Sequence, residues 1–407
     1  MSRKIKKKVP VLRFPEFEGD WHELKFNKLI QLISGQHLSP NEYSLDSGEI
    51  PYFTGPSDFT NDLSKITKWT KYSEKSAQQG DILITVKGNG VGEMLFLYLP
   101  CVAMGRQLMA IRPITVVGEI LYQKLFTYRQ QFQALASGNV IPGLSRPDIL
   151  TTKIYLSGLK EQEKIASFLW AVDTRLTQLR RKHELLQTYK RGVMQKIFSQ
   201  QIRFKCDDGK AFPDWKEKKL GDLGELLNGL TGKKAEDFGK GKPYITYKQV
   251  FDSSYIKLNA CEFVSLAPQE KQNSIKRGDI LFTTSSETSN EVGFSSVLLH
   301  EVEELYLNSF CFGLRPQSSQ ELIPKFSQYL FRSSIFRGKM YILAQGSTRF
   351  NLSKSSFVRV KLPIPCPQEQ AKIADFLTAI DQKIEAIAKQ IKLTEQFKKG
   401  LLQKMFV

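Results

Sequence analysis

One long motif occurs twice in this chain. EQEKIASFLWAVDTRL begins at Glu161 and EQAKIADFLTAIDQKI begins at Glu369. The match runs on to YKRGVMQKIF from Tyr189 and FKKGLLQKMF from Phe397, so residues 161–199 align with 369–407 without a gap. A duplication of this length constrains the fold more than composition does, because whatever the first copy builds the second must build again. Both copies carry apolar residues at alternating steps of four and three. Ile165, Leu169, Val172, Leu176, Leu179, His183, Leu186 and Val193 form one stripe, and Ile373, Leu377, Ile380, Ile384, Ile387, Ile391, Leu401 and Met405 the other. This is the seam of a coiled coil, and the natural partner for one seam is the other. His183 reads as a polar register residue on that seam. Each helix of about forty residues makes a rod of roughly 60 Å.

Fainter echoes lie upstream of each copy. WHELKFNKL from Trp21 answers WKEKKLGDL from Trp215, and GDILIT from Gly80 answers GDILFT from Gly278. Arg112-Pro113 answers Arg315-Pro316, and SGNVIPGLS from Ser137 answers QGSTRFNLS from Gln345. The offset drifts from pair to pair, so insertions fall in the globular parts while the helices keep their length. GDILITV and DILFTT read as buried strands entered from a Gly-Asp turn. The stretches from Gly118 and from Pro324 each read as one helix. The class is α+β. A first mixed module spans 1–158 and a long helix 159–200; a second module spans 201–366 and a second helix 367–407. Connectivity favours antiparallel rods. The second module then only turns the chain round, whereas parallel rods would require it to span a full rod length. The expectation is a pseudo-two-fold arrangement with a module at each end.

The chain has 407 residues and a net charge of +18, which points to a polyanionic partner, nucleic acid above all. The five cysteines, Cys101, Cys206, Cys261, Cys311 and Cys366, form no CxxC pair and fit neither zinc nor a disulfide framework. They are the thiols expected of a reducing cytoplasm. The longest apolar run, MLFLYLPCVAM from Met94, is too short to span a membrane, and the basic start MSRKIKKKVP lacks the apolar segment of a signal peptide. That start reads as a solvated tail.

Two similar heads held apart make a ruler. Heads about 40–60 Å apart would touch duplex DNA roughly 12–18 base pairs apart, reading two short words across a spacer. With its two EQxKIAxFLxxxD segments, its GDILxT strands and its tandem plan, the chain resembles, over essentially its full length, the specificity subunits of type I restriction–modification systems. The resemblance implies that each module is a target recognition domain for one half of a bipartite DNA site. It implies that the helices set the spacer and bind two methyltransferase subunits that methylate adenine. Restriction subunits would join through these. It places S-adenosylmethionine on the methyltransferase and ATP and magnesium on the restriction subunit, with no cofactor and no catalysis in this chain.

An enzyme reading, a self-sufficient nuclease or methyltransferase, lacks its residues. No Pro-Pro pair exists for an adenine methyltransferase motif. KGNGVG from Lys87 looks like a nucleotide loop, but its counterpart TSSETSNEVG lacks the glycines and a turn between strands is the better reading. PDWKEKK from Pro213 places its acids too close together for a nuclease, and the four histidines form no metal-binding pair. A coiled-coil assembly protein with incidental basicity is the third reading.

Candidate DNA contacts therefore fall on polar loops. In the first module they are Lys87, Asn89, Arg106, Gln107 and Asn139. In the second they are Lys233, Lys234, Lys248, Gln249, Ser285, Ser286, Asn290 and Arg349. Lysines suit phosphates, while Arg, Gln and Asn can also read base edges. Glu161, Gln162, Lys164 and Asp173, with Glu369, Gln370, Lys372 and Asp381, are polar yet repeated. They are expected to face the partner, with helix capping as the alternative for the glutamates.

Overall fold

The computed structural model describes residues 8–136 and 143–407. The chain divides into two compact units, Met1–Arg180 with Lys389–Val407, and Arg181–Ala388. Each unit therefore combines one module with parts of both long helices, Leu159–Phe198 and Pro367–Met405.

In the first unit, His22–Lys25 pairs antiparallel with Lys153–Leu156, so the module is closed beside the start of its helix. The centre is a four-stranded antiparallel sheet in the order Ile30–Ser34, Leu108–Pro113, Ile82–Thr85, Met94–Phe96. Ile82–Thr85 is buried at every position, as a central strand of one apolar run should be. A second sheet contains a parallel pair, Ile50–Phe53 beside Cys101–Met104. The helix Gly118–Ala136 forms as expected and buries Ile120, Leu121, Leu125 and Phe132 in a core shared with Ile82, Ile84 and Ile111. The same core takes in Ile165, Leu169 and Val172 from the start of the first long helix. It also takes in Leu401 and Met405 from the end of the second, with Phe406 just beyond. Start lies against end, so the helices are antiparallel here. Two ion pairs cross the seam, Lys398 to Asp173 at 2.6 Å and Arg180 to Glu395 at 2.6 Å.

The second unit repeats the plan. Lys216–Lys219 pairs with Lys361–Ile364, and the central sheet runs Gly224–Asn228, Cys311–Pro316, Ile280–Thr283, Ser295–Val297. A parallel pair again joins Phe238–Ile245 to Tyr306–Leu307. Its core is aromatic, with Phe282, Phe312, Phe331, Phe336 and Phe357 in mutual contact. Lys190 and Asp381 close the seam in this unit. The stretch from Pro324 is not the single helix expected. It forms Pro324–Leu330 and Ser334–Leu343. The break lets the Arg332 guanidinium turn inward to donate to the carbonyls of Val250, Phe251, Ser253 and Ser295, and Ser333 caps the next helix by accepting from the Phe336 amide. Burial pushes Arg332 down to about 10.

Candidate nucleic-acid interface

The repeated polar motif is the fastening between module and helix. Glu161 is buried and accepts both Nε and Nη2 of Arg13, at 2.7 and 2.8 Å. Glu369 is fully buried and accepts from Arg203 Nη2 at 2.8 Å and Trp215 Nε1 at 2.9 Å. The paired carboxylates hold the Arg13 and Arg203 guanidinium ions above the ordinary arginine range, as hydrogen-bonded counter-ions should. Gln162 accepts from the Val117 amide and donates to the Ser157 carbonyl. Gln370 accepts from the Ile323 amide and donates to the carbonyls of Glu321 and Pro365. Lys164 reaches Glu16, and Lys372 reaches Asp207 and the Lys205 carbonyl. Asp173 accepts from Gln123, and Asp381 from the Tyr329 hydroxyl, besides their seam lysines.

Glu161, Gln162, Glu369 and Gln370 are thus corrected. They are neither a partner face nor simple caps, because buried polar groups must be satisfied inside the chain, and here they are. Sequence reasoning missed Arg13 and Arg203, although the signal was present: each stands in an Arg-Phe pair a short way before Trp21 or Trp215. It also missed why Gly-Asp and Arg-Pro recur together. Buried Asp81 receives Arg112, and buried Asp279 receives Arg315, in matching two-point ion pairs.

The candidate DNA residues converge better. In the first module the loops after Ser34, Phe53, Thr85 and Met104 meet at one edge of the sheet. Val86 donates to the Gln107 carbonyl, Gly105 to Phe53, and Leu144 to Val86. Lys87, Asn89, Arg106 and Gln107 are all exposed on this cluster. Arg146 joins it by donating to Ser34 Oγ at 3.0 Å. Asn139 lies outside the described residues.

The second module builds the same cluster from different side chains. Thr284 donates to the Phe310 carbonyl, Asn308 to Ile245, and Leu352 to Thr284. These three bonds match the three above and equate Lys87 with Ser285, Arg106 with Ser309 and Gln107 with Phe310. Gly35 and Gly229 hold equivalent places. A Cβ on either would lie 2.2 or 2.1 Å from a carbonyl oxygen, of Gly105 or Asn308, so no other residue fits this close approach.

Arg349 belongs to this cluster, with Nε donating to Ser285 Oγ, and Lys354 reaches Asn228 as Arg146 reaches Ser34. Asn290 and Lys248 are exposed nearby, Lys248 beside Asp252 one turn along its helix. Four candidate residues are corrected. Gln249 is buried, its amide donating to the Ala260 carbonyl and accepting from the Lys257 amide, so it has no group left for a base. Ser285 and Ser286 are buried in a short strand, where Ser285 receives Arg349 and Ser286 donates to Glu291. Lys233 is withdrawn from solvent into a pair with Glu270 and the Ser265 carbonyl, and only Lys234 of that pair is exposed. The hydrogen bond from Lys233 pulls the Glu270 carboxyl down to about 2.

A cavity of about 770 Å³ lies in the first unit among Tyr98, Tyr122, Phe126, Trp170 and Asp173. Trp170 is half exposed there, edge-on to Tyr98. The aligned position of the second helix is Thr378, bonded to Tyr329, so this aromatic surface is not repeated.

Comparison with known proteins follows the same duplication. A family described as the type I restriction modification DNA specificity domain matches residues 18–187 and again 213–395. The MjaVIII specificity subunit of a type I restriction enzyme from Methanocaldococcus jannaschii is 24% identical over 412 residues, covering 97% of this chain and 93% of that protein. The MjaIX specificity subunit of the same organism is 28% identical over 216 residues, 52% of this chain and 48% of its own. Among solved structures, the S subunit of a type I restriction–modification system from M. genitalium superposes with a TM-score of 0.62 at 18% identity, covering 98% of this chain and 99% of that one. A chain from work on assembly and conformational transition of a type I restriction–modification system gives 0.56 at 19% identity, covering 95% and 97%.

Proposed function

The chain belongs to the type I restriction modification DNA specificity domain family, and from that premise we propose that it is the DNA-recognition subunit of a type I restriction–modification system, each module reading one half of a bipartite site. One observation carries this most directly. The same loop cluster is built twice on matching backbone hydrogen bonds, yet Lys87, Arg106 and Gln107 in one copy become Ser285, Ser309 and Phe310 in the other. A constant frame with changed side chains is what two different recognition words require. Module 1 corresponds to 1–158 and module 2 to 201–366, with the helices 159–200 and 367–407 setting the spacer. In the first module Lys87, Asn89, Arg106 and Gln107 are the exposed groups for phosphates and base edges; in the second they are Lys234, Lys248, Asn290 and Arg349.

The chain is the non-catalytic member of its complex and works in the cytoplasm. It docks two methyltransferase subunits, which methylate adenine with S-adenosylmethionine, and through them restriction subunits that use ATP and magnesium. The docking surface is formed by exposed faces of the long helices, because the repeated buried residues are already occupied. The net charge of +18 supports an encounter with duplex DNA. A self-sufficient nuclease or methyltransferase is not favoured.

The test is co-expression with a type I modification subunit in a host free of adenine methylation, followed by methylation mapping. A new two-part motif, with one part changing when one module is exchanged, is the expected result. A soluble complex that produces no two-part motif would sink the reading.

A further inference from the structure

We propose that Phe310 is a specificity-determining residue of the second module, reading the 5-methyl group of one thymine in its half-site. The proposal rests on the DNA-recognition reading. Phe310 is 56% exposed in the loop cluster, at the position that Gln107 holds in the first module. Its backbone is held at both ends. The Phe310 amide donates to Asn308 Oδ1 at 2.9 Å, and its carbonyl accepts from the Thr284 amide at 2.9 Å. The guanidinium of Arg349 lies over the ring, 5.5 Å from its centroid, and is itself tied to Ser285 Oγ at 3.2 Å. The result is an apolar group presented to solvent on a braced loop, with Arg349 against it and Asn308 and Thr284 fixing its backbone.

Base edges in the major groove offer one apolar feature, the thymine methyl, and phenylalanine is a suitable reader of it. An aromatic side chain can also act as a wedge between base pairs, where each ring face that is covered is lost to stacking. Arg349 occupies one face of Phe310. The edge and the other face remain, which suits contact with one methyl group better than insertion. The first module, with Gln107 at the same place, would read a base edge there by hydrogen bonds instead. The duplicated frame thus carries a polar reader in one copy and an apolar reader in the other.

The experiment uses the complex with the modification subunit and the motif found by methylation mapping. Each thymine of both half-sites is replaced in turn by deoxyuridine, which removes only the methyl group, and duplex affinity is measured. One position, in one half-site, is expected to lose about fourfold, the worth of one buried methyl. The F310A variant should bind the thymine duplex more weakly by a similar factor and show no further loss with uridine. F310L should keep part of the difference. Three outcomes overturn the proposal: a half-site pair in which no thymine responds, a response that persists in F310A, or a loss in F310A with no uridine effect, which would make the ring a wedge. A complex that methylates no two-part motif removes the premise itself, and the proposal with it.

Discussion

Glu369 shows how one buried charge organises a joint. It has no exposure, and its oxygens are met by Arg203 and by the indole of Trp215. Removing Glu369 orphans the Trp215 indole N–H and strips the part-exposed Arg203 of its buried counter-ion, though Arg203 keeps Asp214 and the Pro213 carbonyl, so the cost is about 1–3 kcal/mol. E369A should therefore lower the denaturant midpoint of the second unit. E369Q, which keeps a hydrogen-bond acceptor, should lower it less. Equal midpoints for wild type and E369A would contradict the joint.

The Lys233–Glu270 pair makes a second prediction at this scale. The Glu270 carboxyl is held at about 2, below the ordinary glutamate value of 4.5. A depressed carboxyl contributes stability above the unfolded value, and loses that contribution as pH falls from about 4.5 through about 2. Carboxyl titration by NMR should place Glu270 near pH 2, and K233M should return it towards 4.5. An ordinary value for Glu270 in the wild-type chain would refute the pairing.

At the scale of elements, the two long helices are held by a seam and by reciprocal ion pairs. Asp173 meets Lys398 in the first unit, and Asp381 meets Lys190 in the second. The duplication places Asp173 in register with Asp381, and Lys190 with Lys398. Only antiparallel helices allow each aspartate to meet the other copy's lysine. D173K should destabilise the first unit, and adding K398D should restore part of the loss. The coupling in a double-mutant cycle should be about 0.5–1 kcal/mol, modest because both groups are partly solvated. A coupling of zero, or one that works only with Lys190, would rule out this register.

For the whole molecule, module and helix boundaries are not folding boundaries. The first unit needs residues 389–407, whose Leu401, Met405 and Phe406 lie in the core built around Trp21, Ile82 and Ile165. Phe406 packs edge-on to Trp21 at 6.3 Å, and Phe198 packs on Trp215 at the same distance. Ending the chain after Ala388 should therefore damage the N-terminal module while sparing the second. Hydrogen exchange should show lost protection in Ile82–Thr85 and Leu108–Pro113, with Ile280–Thr283 unchanged. Loss confined to the second module would show that the division between the units is drawn wrongly.

The sequence by itself determined the duplication, the heptad seams, the buried GDILxT strands and the α+β class. These are local or periodic signals, and periodicity survives in a linear string. It also located the loops that converge, because Lys87, Asn89, Arg106, Gln107 and Arg349 stand next to strands whose pairing the echoes already implied. What it could not determine was which polar residues face inward. Glu161 and Glu369 look like surface residues until Arg13 and Arg203, distant in sequence, are folded against them. Gln249, Ser285, Ser286 and Lys233 carry polar side chains that their own local hydrogen bonds consume. The helix from Pro324 looked continuous because apolar spacing does not reveal that buried carbonyls draw Arg332 inward. Burial and hydrogen-bond satisfaction depend on what the rest of the chain brings close, so only the tertiary structure decided which polar residues hold the modules and which stay exposed on the converging loops.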